Sequence, residues 1–225
     1  MAQGLDLTHL DTWMRRHVPE FQGPLTTEKF SGGQSNPTFK LTAGDRQYVL
    51  RRKPKGTLLA SAHAVDREFK VLSALSSTNV PVPATVALCE DETIIGSMFY
   101  VMEYLEGRIF WDPALPEVND ADRGEIYDQM NKVLADMHNV DIHAVGLSDY
   151  GKPGNYFERQ IGRWTKQYRA AETTRIPAME KLIEWLPNHM PEDDGRVSLV
   201  HGDYRLDNMI FHPTEPKIIG VLDWE

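Results

Sequence analysis

The 225-residue chain has a single cysteine, Cys89, which excludes an internal disulfide and a zinc site built from several cysteines. No apolar run approaches the about 20 residues that a membrane-spanning helix needs, and the first residues lack the apolar region of a signal peptide. Cations are also few: 24 Lys and Arg stand against 33 Asp and Glu, for a net charge of −9. These shortages argue against membrane and nucleic-acid partners and predict a protein of the reducing cytoplasm.

The spacing of apolar residues predicts an α+β fold, with a small mixed lobe followed by a mainly helical lobe. In the first lobe, residues 1–105, alternating side chains predict strands, the first two of which flank a Gly-rich loop. In the second lobe, residues 106–225, helical spacing dominates until a final hairpin. The predicted strands are 28–30, 38–41, 47–52, 85–89, 98–103, 209–212 and 217–222, and the predicted helices include 62–75, 155–170 and 177–187.

Two predicted helices have an apolar face whose members can be named. The N-terminal helix should bury Leu10, Trp13 and Met14, with Thr8 as its N-cap. The other helix, in the second lobe, carries one apolar stripe: Ile126, Met130, Val133, Leu134 and Met137. Both faces are expected to pack against the rest of the chain.

The stretch 199-LVHGDYRLDNMIFHP-213 places polar side chains densely between apolar ones, which a surface turn does not need. Asp203 and Asn208 come just before the first strand of the final hairpin, and Asp223 comes just after its second strand. Because a hairpin brings the outer ends of its strands together, these three side chains should converge. Their oxygens are hard ligands that suit Mg²⁺, and a carboxylate not used by metal can accept a proton or orient a hydroxyl. The simpler alternative is a turn stabilised by its own hydrogen bonds.

Three neighbours in this stretch have open roles. His201 could be a general base, a metal ligand or an organiser of hydrogen bonds in the loop, and the last is favoured. Arg205 could neutralise a phosphate or pair with Asp207. Asp207 in turn could bind metal or stabilise the loop beside Asn208.

The pattern His201-Gly202-Asp203, then Asn208, a hairpin and Asp223, resembles the catalytic apparatus of the aminoglycoside phosphotransferase family of small-molecule kinases. The resemblance implies a two-lobed protein-kinase-like fold that uses ATP and Mg²⁺ to phosphorylate a hydroxyl group. It implies that Asp203 orients that hydroxyl and accepts its proton, with Arg205 in the catalytic set. Asn208 and Asp223 would hold Mg²⁺.

The first lobe offers matching parts for nucleotide binding. The backbone of a Gly-rich loop could approach the phosphates; it consists of Ser31, Gly32, Gly33, Gln34, Ser35 and Asn36. Strand alternation places Arg51 and Arg52 on opposite faces, and by position we expect Arg51 to hold the phosphates and to pair with Glu68. The adenine edge would meet the backbone of a linker made of Glu103, Tyr104 and Leu105. A simple Gly-rich turn and a solvated Glu68 remain the alternatives.

The segment 146–173, GLSDYGKPGNYFERQIGRWTKQYRAAET, is similar to a subgroup of phosphotransferase-like domains that are fused to, or encoded near, acyl-CoA dehydrogenases. In some of them the reaction is phosphorylation of a hydroxyacyl-CoA. The resemblance therefore implies a small-molecule hydroxyl acceptor, with a CoA thioester as candidate and a functional link to a dehydrogenase. Cations and aromatics interleave on this helix and could hold such a ligand; the alternative is an amphipathic helix with its aromatics in a core.

Two rival functions belong to other classes. One is a metal-dependent phosphohydrolase built on His201, Asp203 and Asp223, and the other is a catalytically weak nucleotide-binding or regulatory module. The family it resembles continues into further helices after the Asp223 position. We therefore expect this chain to be truncated at its C-terminus, with a helical lobe that is incomplete.

Overall fold

The computed structural model describes residues 5–19, 21–30, 36–54, 64–152, 154–193 and 195–224. Its helices are α1 (Leu7–His17), α2 (Val65–Leu75), α3 (Asp120–His138), α4 (Tyr156–Ala171) and α5 (Pro177–Trp185). Its strands are β1 (Leu25–Lys29), β2 (Thr38–Ala43), β3 (Arg46–Arg52), β4 (Thr85–Cys89), β5 (Phe99–Glu103), β6 (Met209–Phe211) and β7 (Ile218–Val221). The predicted elements are confirmed, and their ends differ from the predicted ones by a few residues at most.

The first five strands form one antiparallel sheet in the order β1-β2-β3-β5-β4. The central strand β3 lies between β2 and β5, and its register places Arg51 opposite both Thr38 and Tyr100. The two remaining strands, β6 and β7, form a separate hairpin. A central position on a sheet, with neighbours on both sides, holds the backbone of Arg51 rigidly.

Helix α1 covers one face of this sheet. Its predicted apolar face is confirmed, since Leu10, Trp13 and Met14 are buried and the Trp13 ring meets Phe99 of β5 at 4.9 Å. The N-cap prediction of Thr8 is wrong: the Asp6 carboxylate accepts hydrogen bonds from the backbone N–H groups of Thr8 and His9. A carboxylate just before the first turn can accept hydrogen bonds from two of the unpaired backbone N–H groups of the helix. Its negative charge also interacts favourably with the positive end of the helix dipole.

A short segment joins β5 to the second half of the chain and is tied to the β6–β7 hairpin. Arg108 and Phe211 exchange two backbone hydrogen bonds of 2.8 Å, and the Arg108 guanidinium donates to the carbonyls of His212 and Glu215. Gly107 permits this approach, because a Cβ at that position would lie 2.3 Å from the Phe211 carbonyl oxygen. The hairpin that carries Asn208 is thereby held against the end of the sheet.

The described chain folds as two compact units, Met1–Leu147 with Leu199–Glu225, and Ser148–Ser198. The first unit contains both the five-stranded sheet and the hairpin, so its boundaries differ from the lobes proposed at residues 105 and 106. That division into lobes stays a prediction. None of the described helices is long and apolar enough to cross a membrane.

The second compact unit contains α4 and α5, whose residues are all described and none of which is buried. Four of its aromatic side chains are exposed: Tyr156 is 51% exposed, Phe157 53%, Trp164 62% and Trp185 52%, whereas Tyr168 is half-buried. The alternative that the aromatics of α4 fill a core is therefore not seen in this chain. Two cations of α4 bind within the unit: Arg159 donates to the backbone carbonyls of Gly154 and Lys152, and Arg169 donates to the Glu180 carboxylate.

Candidate active site

Predicted site residues from both halves of the chain line one cavity of about 660 Å³ in the first compact unit, although Glu68 does not. The sheet side contributes Arg51, and the hairpin side contributes Asp203, Asn208 and Asp223. Further lining residues are Phe30, Asn36, Thr38, Val49, Pro83, Met102, Glu103, Tyr104, Leu105, Gly107, Ile109, Trp111, Arg205, Asp207, Ile210 and Leu222. Charged groups thus meet at one wall of a cavity that is otherwise largely apolar, which is a common composition for ligand sites.

The final hairpin brings its three polar residues together as its geometry requires. The Asn208 amide donates to the backbone carbonyl of Asp203 at 3.0 Å and to its carboxylate at 3.1 Å. The backbone N–H of Leu222, which precedes Asp223, donates to the Asn208 carbonyl at 2.8 Å. A tight turn over Leu206–Asn208 and the strand pairing thus hold one carboxylate at each end of the hairpin.

His201 links the loop before the hairpin to the end of β7. Its Nε2 bonds to the Leu222 carbonyl at 2.8 Å, and its Nδ1 accepts from the Asp203 backbone N–H at 3.3 Å. Burial lowers the pKa of His201, so the neutral ring with its proton on Nε2 fits both contacts. The ring also packs 4.6 Å from Trp224. With both nitrogens engaged, His201 supports the position of Asp203 and is poorly placed to be a general base or a metal ligand.

Tyr204 anchors the same loop on its other side. Its hydroxyl donates to the Met130 carbonyl of α3 at 2.8 Å, and burial raises its pKa above the ordinary value. Gly202, which precedes Asp203, has a φ of 90°, a conformation that is costly for residues with a side chain. The loop is therefore specified by a glycine, a buried ring and two backbone contacts.

Arg51 connects the sheet to the far end of the hairpin. Its Nε lies 3.0 Å from the Glu68 carboxylate of α2, and its Nη2 donates to Oδ1 of Asp223. Although burial lowers the pKa of Arg51, the neighbouring Glu68 and Asp223 carboxylates raise it above its ordinary value. The guanidinium is thus a permanent cation held between two carboxylates.

Glu68 is buried beside Arg51 and is not a solvated charge on the helix surface. The Glu68 side chain is 2% exposed and that of Arg51 12%. Tyr100, opposite Arg51 on β5, is fully buried, and both burial and the Glu68 charge raise its pKa. Sequence reasoning missed Tyr100; the only available signal was its place on the strand that pairs with β3.

Arg52 lies on the opposite face of β3. It is buried, its Nη1 is 3.5 Å from the Ile95 carbonyl, and its guanidinium lies 5.7 Å from the centre of the Phe39 ring. Arg51 lines the cavity and Arg52 does not. The alternation of strand side chains therefore predicted the two directions correctly, and the phosphate-binding role of Arg51 stays a proposal.

Asp223 has a left-handed backbone, with a φ of 67°. Asp tolerates this region better than most residues with a side chain, and such conformations cluster at functional sites. The conformation turns the Asp223 carboxylate toward Arg51 directly after the strand ends.

Arg205 and Asp207 pair with each other at the edge of the cavity. The Arg205 Nε donates to Asp207 at 2.5 Å, and the Arg205 side chain is 58% exposed. This contact raises the pKa of Arg205, with the Asp207 hydrogen bond as the main cause. Arg205 thus pairs with Asp207, which is one of the two roles that the sequence allowed for it. Arg205 also lines the cavity.

The predicted adenine segment forms a wall of the cavity. Glu103, Tyr104 and Leu105 all line it, and Lys40 lies 4.1 Å from the centre of the Tyr104 ring. Gly220 of β7 lets this segment approach, because a Cβ there would lie 2.6 Å from the Leu105 side chain. Contacts between this segment and a nucleotide base stay a prediction.

Most of the predicted phosphate loop, Ser31 to Ser35, lies outside the described residues. Asn36, its last member, is buried and lines the cavity. Its backbone carbonyl accepts a 3.0 Å hydrogen bond from the Thr38 hydroxyl at the start of β2. Asn36 therefore lies at the cavity just before β2 begins.

The family model of the phosphotransferase enzyme family matches residues 26–225. The chain belongs to this family. It is also 55% identical, with a TM-score of 0.88, to a crystal structure from Ralstonia eutropha JMP134 assigned to the aminoglycoside phosphotransferases; the match covers 98% of this chain and 64% of that one. The predicted family, kinase-like α+β fold and phosphotransferase class are confirmed.

Two further likenesses bear on the fold and on the whole protein. The streptomycin–ATP complex of APH(2")-IIa is 18% identical with a TM-score of 0.65, over 98% of this chain and 70% of that one, which shows the fold alone. Acyl-CoA dehydrogenase family member 10 of Mus musculus is 55% identical over 203 residues, 90% of this chain and 19% of that protein. The phosphotransferase chain thus spans only part of the length of its relatives.

The oxygen donors of the cavity fit the metal that such a phosphotransferase would use. Asp223 offers a carboxylate and Asn208 an amide oxygen, both hard donors of the kind Mg²⁺ prefers. Among the described residues, no group of three or more His, Cys, Asp and Glu side chains forms a ready metal site. Two protein ligands suit Mg²⁺, which commonly completes its shell with water and substrate phosphates.

Proposed function

We propose that this phosphotransferase uses ATP to phosphorylate a hydroxyl group of a small molecule. The observation that carries the proposal is that Arg51, Asp203, Asn208 and Asp223, from both halves of the chain, line one cavity. A cation for phosphates, a carboxylate for a hydroxyl and oxygen donors for a metal are the parts that phosphoryl transfer needs.

Asp203 is the proposed proton acceptor. Its backbone N–H is held by His201 and its carboxylate by the Asn208 amide, so the side chain has a defined direction. It accepts the proton of the acceptor hydroxyl while that oxygen forms its bond to the γ-phosphorus and the bond to the ADP oxygen breaks. Positioning of this kind supplies most of the catalysis that the residues can provide.

Arg51, together with the metal held by its proposed ligands, would neutralise the negative charge of the nucleotide phosphates. The Arg51 guanidinium binds phosphate oxygens, which it can contact through two N–H groups at once. Asn208 and Asp223 are the residues that would hold Mg²⁺, and the metal would neutralise the negative charge of the phosphates. The apolar side chains of the cavity, such as Val49, Met102 and Leu222, would cover the nucleotide base.

The acceptor is proposed at a finer level to be a hydroxyacyl-CoA. Support comes from the relative in Mus musculus, which is named an acyl-CoA dehydrogenase family member and is 55% identical over the matched part. The proposal includes a functional link to a dehydrogenase of that kind. A panel of hydroxyacyl-CoAs, aminoglycosides, choline and sugars, assayed for ATP-dependent ADP release and a phosphorylated product, tests it; turnover only with an aminoglycoside would overturn this finer proposal.

Asp203→Asn tests the reaction itself. Turnover should fall by ~10²–10⁴, the usual scale for a positioned base, while nucleotide affinity stays close to the parent's. The matched control is Asp207→Asn, the same chemical change in the same loop at a carboxylate paired with Arg205. Turnover of Asp203→Asn within a few-fold of the control would remove Asp203 from the mechanism.

The phosphohydrolase alternative has less support. It needs His201 as a metal ligand, and both ring nitrogens already contact backbone groups of Leu222 and Asp203. It also gives no role to Arg51, which lies inside the cavity with two carboxylates around it. Phosphoester hydrolysis without ATP would restore this alternative.

A further inference from the structure

The Arg51 guanidinium joins two carboxylates that the proposed function uses differently. Its Nε lies 3.0 Å from Glu68, and its Nη2 donates to Oδ1 of Asp223. Glu68 supports the cation, whereas Asp223 is the proposed metal ligand. One side chain on the sheet therefore contacts the residue that must receive the metal.

Arg51 cannot easily leave Asp223 by swinging away. Its side chain is 12% exposed, its backbone is in the central strand β3, and Glu68 holds the Nε edge from a buried position on α2. The Glu68 carboxylate, 3.0 Å from Nε, attracts the guanidinium by its charge from that side. Glu68 thus stabilises the position of the Arg51 guanidinium near Asp223.

A divalent metal would have to compete with this guanidinium for Asp223. Oδ1 already accepts from Arg51, and a metal on the other oxygen would still be a few ångströms from a permanent cation. The repulsion is weakly screened because the group is largely buried. Phosphate oxygens change the balance, because they offer the guanidinium other acceptors and bring negative charge to the metal.

We infer that Arg51 blocks the metal position at Asp223 until nucleotide phosphates engage its guanidinium, so that metal and nucleotide bind as a coupled pair. The inference rests on the proposed function, in which Asp223 is a metal ligand. Coupling of this kind is reciprocal: if nucleotide raises the affinity of the protein for metal, then metal raises its affinity for nucleotide by the same factor. Arg51 is then a positioning residue for the metal as well as a phosphate ligand.

The test measures Mn²⁺ binding to the whole 225-residue chain by the electron paramagnetic resonance signal of free Mn²⁺, without nucleotide and with a non-hydrolysable ATP analogue. The parent should bind Mn²⁺ weakly alone and more tightly with the analogue. Arg51→Gln should bind Mn²⁺ alone about tenfold more tightly than the parent, within the usual range of coupling factors. The gain from the analogue should be smaller by about the same factor, and phosphate oxygens on the metal supply the gain that remains.

Lys53→Gln is the matched control, because it makes the same change in net charge just after the end of the same strand. Lys53 lies 3.8 Å from the Asp66 carboxylate of α2 and does not line the cavity that Asp223 borders. Its Mn²⁺ affinity should equal the parent's. The double variant Arg51→Gln with Asp223→Asn should lose the gained affinity, which places the metal at Asp223.

Each result separates the coupling from the proposed function. If the parent binds Mn²⁺ with the analogue but Arg51→Gln binds it alone no better than Lys53→Gln does, the coupling is refuted and the proposed function stands. If no variant binds Mn²⁺ even with the analogue, Asp223 is not a metal ligand and both proposals fall. Should Arg51→Gln not fold, Arg51→Lys replaces it: a single ammonium cannot span Glu68 and Asp223, so a several-fold gain is expected, and no gain would refute the coupling.

Discussion

Glu68→Gln is the substitution whose effect on stability follows most directly from the structure. Glu68 is 2% exposed on its side chain and lies 3.0 Å from the Arg51 Nε. Removing one partner of a buried ion pair costs about 3–5 kcal/mol, because the other charge is left without compensation. Here the cost should be smaller, about 2 kcal/mol, since Asp223 still contacts the guanidinium and glutamine keeps an oxygen that can accept.

The assay is urea unfolding followed by circular dichroism. A loss of about 2 kcal/mol corresponds to a midpoint lower by about 1 M urea at an unchanged slope. The matched control is Asp66→Asn, on the same helix α2, whose carboxylate is 43% exposed and 3.8 Å from Lys53. An exposed pair of that kind contributes about 0–1 kcal/mol.

The comparison of the two variants can refute the reasoning. If Glu68→Gln and Asp66→Asn lower the free energy of unfolding by the same amount, Glu68 does not support a buried cation. Nucleotide affinity gives a second measurement, because Arg51 without its Glu68 contact should hold phosphates less firmly. An ATP affinity equal to that of the Asp66→Asn control would separate Glu68 from the nucleotide site.

Two further predictions concern the hairpin. Gly107→Ala should destabilise the protein, because its Cβ would lie 2.3 Å from the Phe211 carbonyl oxygen. The control, Gly124→Ala in α3, places its Cβ near no atom within 4 Å and should stabilise the protein by about 1 kcal/mol. Thermal unfolding compares the two variants, and equal shifts of the melting temperature would contradict the close approach at Gly107. Burial lowers the pKa of His201 in the folded protein, so the unfolded chain binds the proton more readily and the contribution of His201 to stability is lost as the pH falls below about 6.5. His201→Gln should therefore show a smaller loss of unfolding free energy between about pH 7.5 and about pH 5.5 than the parent, and an equal loss would assign the acid sensitivity to other groups.

Much of the site could be predicted because its residues follow local rules. The alternation of strand side chains separated Arg51 from Arg52, and the hairpin rule brought Asp203, Asn208 and Asp223 together. These inferences need only the distance between residues in the sequence and the period of one element. The N-cap at Asp6 shows the limit of such rules. Asp6 and Thr8 are both residues that can cap a helix, and the position at which the helix begins decided between them.

The sequence by itself determined the order of the elements, the faces of the strands and the set of chemical groups at the two ends of the final hairpin. Only the tertiary structure decided that Arg51 contacts Asp223, 172 positions away, and that Tyr100 is buried beside the Arg51–Glu68 pair. It also decided that Tyr156, Phe157 and Trp164 of α4 are exposed within their compact unit. The physical reason is that periodicity fixes the direction of a side chain from its own element, whereas its contact partner depends on which distant segment the fold brings to that face.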